Sequence, residues 1–229
     1  MIYMIFLDCV RLWLVALSLC GPAVAGAADM PDKPIPDTQA LTPDQAAIRE
    51  NFALYKAAVL GRDGEAAVNA VDSATLAWYA AAVKQALSAG RKELHQLDLM
   101  LKLLVIRLRQ QFSASELRQF DGAKAFVIGV QRGLIDAGSS QQLTLADIRV
   151  HQDEAEASTE QHPTRYTLRW RKEQDVWKFS FMALLDALNP YLEQQVKASG
   201  LSQEDYILAL LKEADDRPVS RDLLTGPRN

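Results

Sequence analysis

In "YTLRWRKEQDVWKFSFM" (166–182), Tyr166, Leu168 and Trp170 alternate with Thr167, Arg169 and Arg171. A period of two puts the large apolar side chains on one face of a strand and the polar ones, with Arg165, on the other. After the polar "KEQD" (172–175), Trp177, Phe179 and Phe181 resume the alternation. The two aromatic runs share a face only if an even-residue loop joins them. A two- or four-residue turn around 172–175 therefore closes one antiparallel hairpin. This pattern belongs to an antiparallel sheet with one face on a core and the other in water.

Upstream, "LTLADIRV" (143–150) places Leu143 and Leu145, then Ile148 and Val150, at strand-compatible spacing. "HQDE" (151–154) reads as a turn, and Ala155 and Ala157 return on the next strand. "EQHPT" (160–164) makes the following turn, where Pro163 removes a ladder donor. The strands follow one another as a four-stranded meander.

Before Ser140 the period is helical. "TPDQ" (42–45) offers Thr42 as N-cap, Pro43 at the first helical position and Gln45 as reciprocal cap. Ile48, Phe52, Tyr55 and Val59 follow at helical spacing until Gly61 and "RDG" (62–64) end the run. A second helical stretch starts at Glu65, restarts at Asp72 or Ser73, and carries Leu76, Tyr79, Val83 and Leu87 to Gly90. "LHQLDLMLKLLVIRLRQQF" (94–112) reads as one helix, apolar almost all round and so buried. Ser113 and Glu116 have capping-box spacing, and a further helix spans 122–135. After the strands, Asn189-Pro190 starts one helix and "SQED" (202–205) caps another to 214. The expected class is α+β: N-terminal helices packed on a curved four-stranded antiparallel meander, with additional C-terminal helices.

The 229 residues, 49% hydrophobic and 24% charged, suit one domain with a real core. A formal charge of −4 and no basic block give no argument for nucleic acid as a partner. At the amino end, Arg11 precedes "LWLVALSLC" (12–20), Gly21-Pro22 breaks the run, and "AVA" (23–25) supplies a signal-peptidase site. Leu12 to Ala28 is seventeen residues, against the roughly 20 that cross a bilayer. The expected division is a signal peptide (1–25), a flexible linker (26–41), a single domain (42–214) and a polar tail (215–229), in which Leu223 and Leu224 are able to dock. Both cysteines, Cys9 and Cys20, fall in the leader, so a cleaved chain would have no disulfide, thiol nucleophile or cysteine metal site.

The order of helices and strands, with "AAVLGRDGEAAVNAV" (57–71), "HQDEAEAST" (151–159) and "RKEQDVWKFSF" (171–181), resembles the nuclear transport factor 2-like superfamily, in its small exported bacterial form. The resemblance covers about 42–78 and 143–185 and implies a cone between sheet and helices. Some enzymes of that superfamily place an Asp, His or Tyr in the cone, but no motif aligns to carry such a residue over. The long helical block at 91–135 and the helices at 187–214 depart from a minimal member, and either could fill the cone.

Few residues have the spacing of a reactive site. His95 and Asp98, three apart on a helix, are the candidates for a proton-transfer pair. The alternative is an ordinary helix surface, with Asp98 and Lys102 as an i,i+4 ion pair. His151 and His162 fall in turns, and without cysteine, His-x-His or HExxH spacing no metal or cofactor is expected. No G-x-S-x-G elbow is present. Tyr166, Trp170, Trp177, Phe179 and Phe181 line a ligand pocket or form plain core. Arg165, Arg169, Arg171 and Lys178 form a basic stripe or a solvated outer face. The expectation is an exported, non-catalytic module in the bacterial periplasm that binds a protein partner or a small apolar ligand, with homo-oligomer formation left open. The alternatives are an acid–base pocket enzyme of isomerase or dehydratase type, and an assembly subunit held in the inner membrane by an uncleaved leader.

Overall fold

The computed structural model describes residues 41–135, 143–159, 167–214 and 217–228. The leader, the linker to Ala40, Tyr166, Arg165 and His162 lie outside them. The helical half runs α1 (Pro43–Leu60), α2 (Gly64–Ala70), α3 (Ser73–Ser88), α4 (Arg91–Gln96), α5 (Leu99–Gln111), α6 (Ala114–Leu117) and α7 (Gly122–Gln131). Short polar side chains start nearly all of them. Thr42 and Ser113 form complete capping boxes, and Asp63, Asp72, Asp98 and Asp121 each accept a first-turn amide.

The 94–112 run is two helices, not one. Leu97 is extended and Asp98 caps α5, accepting the Leu101 amide at 2.8 Å. The local bond offered by the aspartate outcompetes helix continuation there. The helix is buried as expected, yet it takes two cations inside with it, Lys102 and Arg109.

The sheet is antiparallel throughout, in the order β1 (Leu145–His151), β2 (Glu154–Thr159), β3 (Thr167–Glu173), β4 (Val176–Ser180). Glu173 pairs with Val176, so the second hairpin has a two-residue turn, Gln174-Asp175, at φ 51° and 63°. Left-handed conformation at both turn residues matches the twist of the flanking strands. A register shift between Leu145 and Ile148 accounts for their three-residue spacing, which interrupts the strict alternation.

Pairing puts Ala155 opposite Trp170, Ala157 opposite Leu168, and Trp170 opposite Phe179. Alanines on β2 leave room for the large side chains of β3. All of these are buried, while Thr167, Arg169 and Arg171 are exposed. α1 lies against this face: the Phe52 ring meets Trp170 and Phe179 edge-on at 5.6 and 5.4 Å. Its polar side chains cover β1, an end strand. Gln45 Nε2 donates to Ile148 O at 2.9 Å, Arg49 to Leu145 O and Ala146 O at 3.2 Å, and Lys56 to Leu143 O at 2.8 Å.

After the sheet come α8 (Met182–Ser199), α9 (Gln203–Ala214) and a 3₁₀ turn, Arg221–Leu224. α8 begins eight residues before Pro190, which was read as its start, and carries the proline inside it. Burial of Leu184 and Leu185 secures the early turns, so packing overrides the missing proline N–H. The tail is held more closely than its polarity suggests. Leu223 and Leu224 are buried, and the Ala114 amide donates to Arg228 O at 2.8 Å. No helix among the described residues is long and apolar enough to cross a membrane.

Candidate docking surface

Among the described residues, aromatic rings pack the space beneath the sheet. Tyr55 contacts Phe179 and Phe181 at 5.1 and 5.7 Å between ring centres, Phe126 reaches Phe181 at 6.1 Å, and Tyr79 reaches Phe126 at 5.2 Å. Of the aromatic residues singled out in the sequence, Trp170, Trp177 and Phe179 are buried and Phe181 is half-buried. They serve as core. Burial also pushes the Tyr79 phenol well above its usual pKa.

His95 and Asp98 have separate partners. The His95 ring is 75% exposed and approaches Glu204 Oε1 at 3.9 Å, while the Asp98 carboxylate is committed to capping α5. The Lys102 ammonium is directed away from an i,i+4 bond with Asp98: its Nζ donates to His95 O at 3.1 Å and to Gln203 Oε1 at 2.6 Å. Burial lowers its pKa, with Glu204 and Asp98 acting against that. Among the described residues no group of three or more His, Cys, Asp or Glu side chains is placed to hold a metal ion.

Apolar space lies outside the core instead. A groove of about 800 Å³ runs between α1, α2 and the β3–β4 turn. α1 contributes Ala47, Asn51, Leu54 and Ala58, continued by its C-cap Gly61, a stripe at spacings of three and four beside the buried Ile48–Phe52–Tyr55–Val59 stripe. α2 adds Ala66 and Ala70, and the hairpin adds Val176 and Trp177. The alanines keep the floor low, whereas Leu54 (60% exposed) and Val176 (51% exposed) project from its walls.

Four polar contacts hold the groove in shape. Trp170 Nε1 donates to Asn51 Oδ1 at 3.1 Å, and Asn51 Nδ2 donates to Ala70 O at 3.1 Å, joining β3, α1 and α2. Asp44 accepts from Trp177 Nε1 at 2.8 Å and from Lys172 Nζ at 3.1 Å, fastening the hairpin to the start of α1. The indole N–H first, and then the Lys172 ammonium, hold the Asp44 carboxyl below its usual pKa. The Lys172 Nζ also stands over the Trp177 ring, 5.4 Å from its centre.

The sheet's outer face carries a smaller cavity of about 300 Å³, lined by His151, Glu154, Glu156, Arg169 and Arg171 with the buried Asp72. Its charges alternate in sign. Arg171 pairs with Glu154 at 3.2 Å, Arg169 lies opposite Glu156, and Lys178 bonds Asn69 O. The basic stripe read from β3 and β4 alone is thus interleaved with acids from β2. Asp72 caps α3, and its partner Thr75 in turn accepts from the Phe181 amide at 3.0 Å.

The groove was missed in the sequence, although its signal is there. The second stripe of α1, Ala47, Asn51, Leu54 and Ala58, is uncharged and mostly apolar where a solvated face would be charged. Compared with known protein families, curated proteins and solved structures, the chain matches none.

Proposed function

We propose that this chain is a non-catalytic module that binds a protein partner through the α1–α2–hairpin groove, as an exported protein of the bacterial periplasm. The observation that carries this is where the apolar space lies: the cone is packed with aromatic rings, and Leu54 and Val176 stand exposed on the walls of an outer groove. An open groove of this kind suits a partner's side chains better than a small ligand, which a binding pocket encloses over most of its surface. An acid–base enzyme would place a titratable group in an enclosed apolar pocket, and His95 and Asp98 give that alternative little support. Helices packed on a four-stranded meander agree with the nuclear transport factor 2-like reading, and the leader motif at 11–25 supports export.

Photocrosslinking residues placed singly at positions 54, 176 and 169 in producing cells test the reading. A discrete adduct from 54 and 176 but not from 169 is expected. The protein it contains, once purified, should bind the Leu54→Ser variant at least tenfold more weakly than the parent. Adducts from 169 alone, or equal binding to the variant, would remove the groove as the site. Intact-mass measurement of extracellular or periplasmic material tests export: loss of residues 1–25 is expected, and a species retaining Leu12–Cys20 would contradict it.

A further inference from the structure

The charged residues that line the groove have one sign. Its lining includes Glu50, Asp63 and Asp175 and not a single Lys or Arg. Two cations stand at its edge and are already partnered: Lys172 with Asp44 and over the Trp177 ring, and Lys178 with Asn69 O. An apolar floor of Ala47, Ala58, Ala66 and Ala70 between acidic walls complements a segment with apolar side chains on one side and positive ones along its flanks. A second copy of this chain bound groove to groove would bring like charges together, so self-association is the poorer match. The stripe from Ala47 to Gly61 is about 21 Å long at the α-helical rise, the length of a helix of about 14 residues.

We infer that the groove receives a cationic amphipathic helix of a partner protein, with its apolar face on the alanine floor between Leu54 and Val176 and its Lys or Arg residues opposite Glu50, Asp63 and Asp175. This rests on the groove being the binding site proposed above. It adds the chemistry of the occupant. The acidic walls steer the helix in and select against anionic segments, while the apolar floor supplies the contact area.

The probes are two labelled peptides of about 14 residues with Leu at i, i+3, i+4 and i+7. One has Lys at the remaining positions and the other has Glu. Fluorescence anisotropy with the full chain should show saturable binding of the Lys peptide and at least tenfold weaker binding of the Glu peptide, with the difference narrowing as salt rises. Leu54→Ser with Val176→Ser should weaken the Lys peptide at least tenfold while the thermal melt stays unchanged, since both side chains are exposed. Glu50→Lys with Asp175→Asn should remove most of the preference for Lys over Glu; asparagine suits the left-handed turn position of Asp175. Several results would overturn the inference: equal binding of both peptides, binding of neither, or a Lys preference indifferent to the groove variants, which marks simple attraction to a chain of net charge −4. Self-association in sedimentation that Leu54→Ser abolishes would assign the groove to a second copy and overturn it as well. Crosslinks from positions 54 and 176 to a partner, combined with failure of the peptide arm, would leave the groove as the site and refute only the cationic helix.

Discussion

Trp177 does two jobs with one side chain. The residue is 3% exposed on the core face of the sheet, and its Nε1 fixes Asp44 at the start of α1. Trp177→Ala is expected to destabilise the fold by about 3–5 kcal/mol, the usual cost of truncating a large buried aromatic. Arg169, eight residues earlier on the solvent face, should change stability by no more than about 0.5 kcal/mol when replaced by Ala. Urea denaturation of both variants checks the strand faces, and equal losses would contradict them. Asp44 predicts a pH dependence. Its folded pKa lies below the unfolded value of about 3.9. The stability it contributes is therefore complete above that value and is lost as pH falls through the lower folded pKa. Thermal melts of wild type and Asp44→Asn should differ at neutral pH and converge as the pH falls below about 4.

At the scale of elements, two glycines set how closely the helices approach. A Cβ on Gly122 would stand 2.0 Å from Leu76 O, and one on Gly64 would stand 2.3 Å from Val127 O. α7 therefore lies directly against the backbones of α3 and α2, which no alanine at those positions would permit. Gly122→Ala should cost about 1–3 kcal/mol through overpacking, even though alanine is the better helix former. A calorimetric melt that rises would refute this packing. Gly64, the first residue of α2, seats that helix on α7, and Ala66 and Ala70 on the same helix line the groove floor. The hairpin wall depends on a different device, the two left-handed residues Gln174 and Asp175. They turn the chain in two steps and leave Val176 on the rim.

Across the whole molecule, Arg109 ties distant segments together. Buried in α5, it donates to Ala86 O at 2.9 Å and Gln85 O at 3.1 Å, bonds Ala89 O, and reaches Leu223 O in the tail at 2.9 Å. A cation here meets the carbonyls that end α3. Arg109→Met would remove the side-chain donor from Ala86 O, Ala89 O and Leu223 O, while Gln85 O keeps the Ala89 amide, and a loss of about 3 kcal/mol or more is expected, together with faster proteolysis at the tail around Arg217–Arg221. An intact tail in that variant would show that Leu223 and Leu224 hold it unaided. The sequence by itself determined the elements that depend on neighbours within a few residues: capped helix starts at Thr42 and Ser113, a restart at Asp72 or Ser73, the period of two in β3 and β4, and the even-residue turn between them. Those are local, because a capping hydrogen bond or an alternating face is written in consecutive residues. It misjudged 94–112 and Pro190, where one aspartate or a buried leucine pair changes the outcome. The state of the cone, the partners of Lys102 and the existence of the groove were decided by tertiary structure alone. Whether Leu54 faces core or solvent depends on which side of α1 the sheet occupies, and the sign of the groove's walls depends on Glu50, Asp63 and Asp175 meeting from three separate parts of the chain.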